Sequence, residues 1–514
     1  MLDLEKADCP SAVTAGVCVI GSGAAGSYVA ARLARMGHNV ALLEAGGTDV
    51  IGCTEAGFEP ISSGARYGGV YEGRGFGLGG TSALWGGALI PHDHTDIRPE
   101  DPTFEAWQVI VGAVNQNVSL VRKTLGLDTP TDFGTRASEI LGPLKSRFES
   151  AGLSPIVSEM IPFRLRNLSR LLPGEGRVRV FLNSTVRSLT VASPQGSPRI
   201  VEATAVSRSG RALGVRAETF VIAAGAIESA RVLLELDGAT NGQVLKGRES
   251  IGVGLSDHLS VRGADVHKSS LKLASELFAP HFDGSVLRAV RLRDTTVGMS
   301  LPRHFMHVVF PIENAGFQLA KNVLGSLQKR SLPRVSIEEA ASGFAGLTAL
   351  AFGRYARQRL HVPADTASGL QLDIEQTPSR DNFVSLSSEV DAYGRPRAAV
   401  RWSIAESDLD YLRSLQTRIL GKWASLGGLP ALVPVPVGTI SSKLHDSYHP
   451  VGTCRMGRGP ESVVDFELRA RGLGNLHVLS TGVLPTAGSA NPTLTLLCLA
   501  EQLVTNLSGR KAPA

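Results

Sequence analysis

The chain has 514 residues, 43% of them hydrophobic and 19% charged, with a formal net charge of +5. That length exceeds one compact core and predicts two or three domains, and the composition excludes a largely disordered chain. No Lys/Arg block of the kind that grips nucleic acid occurs, and the five cysteines are scattered without a C-x-x-C pair, so neither a nucleic-acid partner, a disulfide framework nor a metal site is expected.

Taken in chain order, the opening MLDLEKADCP shows no basic segment running into an apolar one, and no run long enough to cross a bilayer follows anywhere. A cytoplasmic chain without a transmembrane segment is therefore expected. Residues 15–20, AGVCVI, read as a buried parallel strand. Gly21-Ser22-Gly23-Ala24-Ala25-Gly26 follows at once and satisfies G-x-G-x-x-G, and residues 27–37 then carry small and apolar side chains at helical spacing. A second apolar strand ends at Glu44-Ala45. In such a unit Gly21 permits the tight turn, Gly23 lets the backbone approach a pyrophosphate, and Gly26 lets helix and strand pack closely. The phosphates sit at the helix N-terminus, and an acid at the second strand's end suits ribose hydroxyls and disfavours a 2′-phosphate. The unit by itself does not choose between NAD and FAD.

Residues 64–87, GARYGGVYEGRGFGLGGTSALWGG, are too rich in large apolar groups for a linker, and predict backbone wrapped closely around a flat ring system. Residues 178–191 read as extended strands. FVIAAGAIESARVLL, 220–234, reads as a strand, a small-residue turn through Ala224 and Gly225, and a helix with Glu228 in its first turn, where the dipole favours it. Farther on, 369–376, 382–388 and 397–404 alternate like strands, DAYGRP at 391–396 reads as a hairpin connection, and 406–427 as an amphipathic helix. The stretch 265–365 shows no clear pattern, and loops shaping the mouth of a site are expected there.

The C-terminal part holds His449 in SYHPVGTCRMG and Asn491-Pro492 at the start of an apolar helix. Pro suits the first helical position, so the positive end of that helix faces whatever lies ahead of Asn491. Alcohol oxidation needs a base for the hydroxyl proton and a polar group for the oxygen. Histidine is the natural base near neutral pH, an amide holds an oxygen without titrating, and a helix N-terminus stabilises the negative charge of a reduced flavin.

In VCVIGSGAAGSYVAARLA, GLGGTSALWGG, FVIAAGAIESARVLL, IGVGLSDHL, HPVGTCRMG and SANPTLT, in this order and spacing, the chain resembles the glucose–methanol–choline (GMC) oxidoreductases over nearly its whole length. The resemblance implies an α/β fold: a glutathione-reductase-like FAD-binding Rossmann domain, and a substrate domain on an antiparallel sheet with helices. It implies His449 as the base, with Asn491 where the family carries a second His or an Asn. Gly77, Gly79, Gly80, Thr81, Ser82, Trp85, Gly86 and Gly87 match the stretch lining the flavin, Val186 a residue near the adenine, and Thr481, Gly482, Pro492 and Thr493 residues near the pyrophosphate, ribitol or pyrimidine edge. The form SANPTLT looks closest to the pyranose-oxidase and fructose-dehydrogenase branch, which points to a secondary hydroxyl of a sugar or glycoside. Covalent members of the pyranose-oxidase group carry a His where this chain has Leu84, so FAD is expected to be held non-covalently.

On this reading the FAD domain takes 1–108, 160–258 and 445–514, and the substrate domain takes 109–159 and 259–444. Oxygen or another acceptor removes the electrons. A non-sugar alcohol such as a sterol is the alternative substrate. A two-nucleotide reductase lacks the second glycine fingerprint it needs, and His449 with Asn491 counts against a flavin binder without catalysis.

Overall fold

The computed structural model describes residues 1–127, 133–172, 174, 176–193, 196–296 and 302–509. Among these, the apolar runs build a parallel sheet whose strands are buried on both faces. Its order is Leu2–Asp3, Val178–Leu182, Val40–Leu43, Ala12–Ile20, Ala212–Ile222, with Leu476–Val478 on the outer side of Ala212–Ile222. The central strand Ala12–Ile20 feeds the turn at Gly21 and the helix Ala24–Arg35. Gly21 has φ +99°, and a Cβ on Gly26 would lie 1.8 Å from the Gly21 carbonyl oxygen, so close helix–strand contact demands glycine there. Two antiparallel strands, Arg199–Val206 and Thr185–Ala192, extend the sheet at its edge.

The second large sheet is antiparallel throughout. Its order is Leu432–Pro434, His258–Val266, Gly369–Glu375, His304–Val309, Val286–Asp294, Leu153–Met160 and Ala88–Leu89, with His281–Asp283 and His445–Asp446 attached. An α/β nucleotide unit beside an antiparallel substrate sheet is the fold class the sequence predicts. The stretch 265–365 departs from expectation. Instead of loops it supplies three strands, including two central ones, and the helices Ala315–Gln328 and Ile337–Ala356. The strand VLRAVRLRD carries arginines on both of its faces, Arg288 on one and Arg291 and Arg293 on the other, which blurs the apolar–polar signal.

The hairpin Phe383–Val390 and Pro396–Trp402 also departs. It leaves the substrate sheet, pairs with Ile61–Gly64, and is clamped to the helix Gly225–Ala239 by Arg231, which binds Asp391 at 2.6 Å and the Pro396 carbonyl at 2.8 Å. Glu228 lies in the first turn of that helix, but its carboxylate is taken up by Arg74 at 2.5 Å and Arg231 at 3.3 Å, so ion pairing outweighs the dipole there. No helix among the described residues is long and apolar enough to cross a membrane.

The terminal helix Pro492–Leu507 is buried along most of its length and packs against Ala24–Arg35 and Phe104–Thr124. A buried carboxylate fixes its position. Glu501 accepts from Tyr28 Oη at 2.8 Å and from Arg32 Nε and Nη2 at 2.8 and 2.7 Å. Removing one partner leaves the others buried and uncompensated, so Glu501→Ala is expected to lose about 3–5 kcal/mol of stability. Urea unfolding checks this, and a loss under about 1 kcal/mol would show the triad to be dispensable.

Candidate active site

Where the parallel strands end, a cleft of about 1400 Å³, its open mouth included, runs from the glycine turn to His449. Gly21, Gly23, Ala24, Ala25, Glu44, Ala45, Gly80, Thr81, Ser82, Trp85, Val186, Ala224, Gly225, Thr481, Pro492, Thr493 and His449 all line it. Of the other residues singled out in the sequence, Gly26 and Gly482 act by close packing instead. A Cβ on Gly482 would meet Thr453 Oγ1 at 2.4 Å. Gly79 lies behind the wall against Asn167, 1.9 Å from an added Cβ, and Gly87 against Arg166, while Gly86 meets nothing. Asn491 is not on the cleft wall itself but touches His449.

The cleft suits an FAD. A Cβ on Gly23 or Gly225 would meet no protein atom within 4 Å, so both glycines leave room at the turns where a pyrophosphate must approach backbone. The walls beyond are apolar and aromatic, through Ile20, Val186, Phe58 and Trp85. Leu84, by contrast, is not part of the wall.

Glu44 differs from its expected role. Its carboxylate accepts from Ser22 N and Oγ at 2.9 and 2.6 Å, Gly46 N at 2.9 Å and Gly77 N at 3.0 Å. These bonds sew the fingerprint turn to the glycine-rich stretch, so the acid is first a tie between loops, and ribose contact remains an expectation. Burial pushes its pKa up, against the pull of Ser22, Gly46 and Gly77.

His449 sits at the far end of the cleft, and its loop is held by Asp257. That buried carboxylate accepts from His449 N at 2.8 Å, His258 N at 2.7 Å, Ser447 N at 3.3 Å and Tyr67 Oη at 2.8 Å. Tyr67 in turn stacks on Trp402, ring centroids 4.8 Å apart. Burial, with Asp446 nearby, pushes the Asp257 pKa up to about 8 against these donors. Asp257, His258 and His449 have the spacing of a metal cradle. Their polar atoms are nevertheless committed to one another and to backbone, a donor set that does not favour a cation.

The imidazoles form a directed chain. His258 is fully buried, and its Nε2 lies 2.9 Å from the Gly488 carbonyl, which can only accept. Nε2 therefore carries the proton, and His258 Nδ1 is an acceptor. His449 Nδ1, 3.2 Å away, must donate to it. The lone pair of His449 consequently lies on Nε2, where Asn491 Nδ2 donates to it at 3.1 Å. Burial, then the neighbouring His258 and Arg291, hold the His449 pKa well below the usual imidazole value, so the ring is neutral at physiological pH. Asn491 precedes the helix without capping it by its side chain, and its Oδ1 is buried with no hydrogen-bond partner among the described residues.

The loop before Asn491 is pinned to the substrate sheet. Glu375 accepts from Thr486 Oγ1 at 2.8 Å, Gly488 N at 3.1 Å and Arg303, and Asp96 accepts from Ser489 N at 2.9 Å. Glu375 and Gln376, at the end of the stretch 369–376, are thus consumed by structure, since Gln376 binds Trp402 Nε1 and the Ser403 carbonyl. Asp373, on the same strand, is paired within the substrate sheet. Its Oδ1 accepts from Ser260, while its Oδ2 faces His307 Nδ1 at 3.3 Å. His258 and Asp257 stood inside the quoted IGVGLSDHL segment, and the adjacent acid–imidazole pair was the available signal. Nothing in the sequence pattern singled out His307 or Tyr67.

Residues 378–500 match the family model described as GMC oxidoreductase, and residues 19–55 match an NAD(P)-binding Rossmann-like domain. The chain is 26% identical to 6'''-hydroxyparomomycin C oxidase of Streptomyces lividus over 93% of its own length and 89% of that protein. It is 43% identical to an alcohol dehydrogenase (acceptor) of Pseudomonas putida over 13% of this chain and 12% of that one. In fold it resembles pyridoxine 4-oxidase from Mesorbium loti, with a TM-score of 0.56 at 18% identity, covering 95% of this chain and 98% of the other. These relatives act on different alcohols, and they do not single out the pyranose-oxidase branch.

The tie at Glu44 yields a specific expectation. Glu44→Ala should destabilise the flavin-free protein itself, by roughly 1–3 kcal/mol for donors left buried without an acceptor. Thermal unfolding of the stripped protein reads this; an unchanged midpoint would return Glu44 to a purely ligand-binding role.

Proposed function

We propose that the chain is an FAD enzyme of the GMC oxidoreductase type that oxidises a hydroxyl of a sugar or glycoside to a carbonyl, with His449 as base and Asn491 as the group that holds the substrate oxygen. The observation that carries the catalytic reading is the directed chain Gly488–His258–His449–Asn491, which leaves the one basic lone pair of a neutral imidazole at the cleft. A hydroxyl entering between the two side chains accepts from Asn491 Nδ2 and donates to His449 Nε2. As the carbinol carbon gives up its hydride, the oxygen becomes a carbonyl and its proton ends on Nε2. FAD, when bound, supplies the hydride acceptor, and oxygen or another acceptor then removes the electrons. The residues suited to hold FAD are Gly21, Gly23 and Ala24 at the pyrophosphate, Glu44 and Val186 toward the adenosine, and Thr81, Trp85, Thr481, Pro492 and Thr493 around the flavin. His258 positions the base by fixing its tautomer. Asp257 positions it by holding its backbone.

The sugar reading is supported by polar side chains on the substrate sheet. Asp373 Oδ2 and His307 Nδ1 face each other at 3.3 Å beside the ring of Phe305, which stacks near His307 at 6.3 Å. A polar pair next to an aromatic ring suits a hydroxylated substrate better than a sterol, which would call for an apolar wall. Likeness to an aminoglycoside oxidase points the same way.

Mixing the oxidised holoenzyme anaerobically with sugars, glycosides, sterols and simple primary alcohols tests this. Flavin bleaching by sugars is expected; bleaching by a non-sugar alcohol alone removes the sugar assignment. His449→Ala should keep the flavin but slow its reduction by about 10²–10⁴. Because only neutral His449 can act as base and its pKa is lowered, the acid limb of the reduction rate should fall below the ordinary imidazole value of about 6.5. A limb at or above that value would place another group in the role. Leu84 at the linkage position supports non-covalent binding, so acid precipitation should release all the flavin to the supernatant.

A further inference from the structure

One cation on the substrate side is unspent. Arg291 projects from the strand Val286–Asp294, next to the Leu292–Met306 pairing that joins it to the strand carrying Phe305 and His307. Its guanidinium lies over the Phe305 ring, 4.6 Å from the centroid. It makes no hydrogen bond and no ion pair within 4.0 Å to any described residue. The neighbouring arginines behave differently: Arg288 is bound by Glu159, and Arg293 by Asp93 at 2.5 Å and by the Ser489 carbonyl. Burial lowers the Arg291 pKa to about 10, which leaves it cationic at neutral pH.

The cation belongs to the same site as the base. Successive contacts lead from the His449 ring to His258 at 5.3 Å, from His258 to Phe305 at 5.6 Å, and from Phe305 to the guanidinium. Asp373 is the acid on this face, and its charge is divided among Ser260, His307 and, without a direct ion pair, Arg291. Arg291 also helps to lower the His449 pKa, which places its charge near the base. A half-buried guanidinium with five N–H donors and no acceptor is incomplete without a ligand, and its fork matches an oxyanion.

We propose that Arg291 is a specificity-determining residue that binds an anionic group, a carboxylate or a phosphate, on the sugar whose hydroxyl is oxidised at His449. The proposal rests on the sugar reading for its substrate class, but not for the anion contact itself. It also sets this chain apart from its aminoglycoside-oxidising relative, because an unpaired guanidinium beside an aromatic ring repels an ammonium-bearing sugar.

The test compares glucose, glucuronate, glucose 6-phosphate and glucosamine as anaerobic reductants of the holoenzyme flavin, in wild type, Arg291→Gln and Arg291→Lys. The expected result is half-saturation by one of the anionic sugars at a concentration on the order of tenfold or more below that for glucose, the size of one charge-assisted hydrogen-bond set. Whether glucuronate or the phosphate ester is preferred identifies the anion. Arg291→Gln should abolish the anion-to-neutral ratio, and Arg291→Lys should keep part of it. Equal half-saturation by glucose and both anions, preference for glucosamine, or a ratio untouched in Arg291→Gln overturns the proposal. If no sugar bleaches the flavin, the sugar reading fails separately. The anion contact is then read by titrating glucuronate and inorganic phosphate into the oxidised enzyme and following the flavin spectrum, where binding lost in Arg291→Gln supports it and binding unaffected by the substitution ends it.

Discussion

Buried carboxylates that collect backbone N–H groups hold this site together. The cleft is built from glycine-rich loops whose amides have no sheet or helix partner, and an unpaired amide in the interior costs about as much as a lost hydrogen bond. Glu44 satisfies Ser22, Gly46 and Gly77, and Asp257 satisfies His258, Ser447 and His449. Asp446 takes Gly68 N and Gly69 N at 2.8 and 2.7 Å, and Asp96 takes Ser489 N. Each acid joins segments far apart in sequence, so irregular backbone acquires the rigidity that a base and a cofactor cradle require.

The directionality of the imidazole chain follows from the same economy. A carbonyl cannot donate, so the Gly488 oxygen sets the proton on His258, and each partner down the line has its role fixed. The protein thereby spends a backbone acceptor to aim a lone pair. Glu375 of the substrate sheet and Asp96 stabilise the loop that carries this carbonyl, and so tie that sheet to the orientation of an imidazole it does not contain.

The nucleotide half was legible because its residues obey backbone geometry. The fingerprint glycines, the apolar strands 15–20 and 220–222, and the Pro492 helix start are each forced by local sterics, and local sterics are written in consecutive residues. His449 and Asn491 were found through motif company, and they do meet at 3.1 Å. Glu44 was placed correctly at the strand end, but a sequence cannot say which of several donors a carboxylate will serve. The substrate side was least legible. Arg291, Asp373 and His307 come from three strands brought together only by long-range pairing, and their alternation was masked by polar groups on a face that looks solvated until the fold covers it. Glu375 shows the converse, a polar residue of suitable alternation spent wholly on structure.

Gly21, Gly23 and Ala24 share a single cleft with Thr481, Pro492 and Thr493, and the parallel strand Leu476–Val478 joins beside Ala212–Ile222. Almost the whole described chain separates those two sets of walls. A nascent polypeptide still attached to the ribosome therefore exposes the first glycine turn long before its opposite wall exists. The pocket closes only after the residues around Asn491 have left the exit tunnel, so the first glycine turn waits for the last of its walls before the cleft can take a ligand.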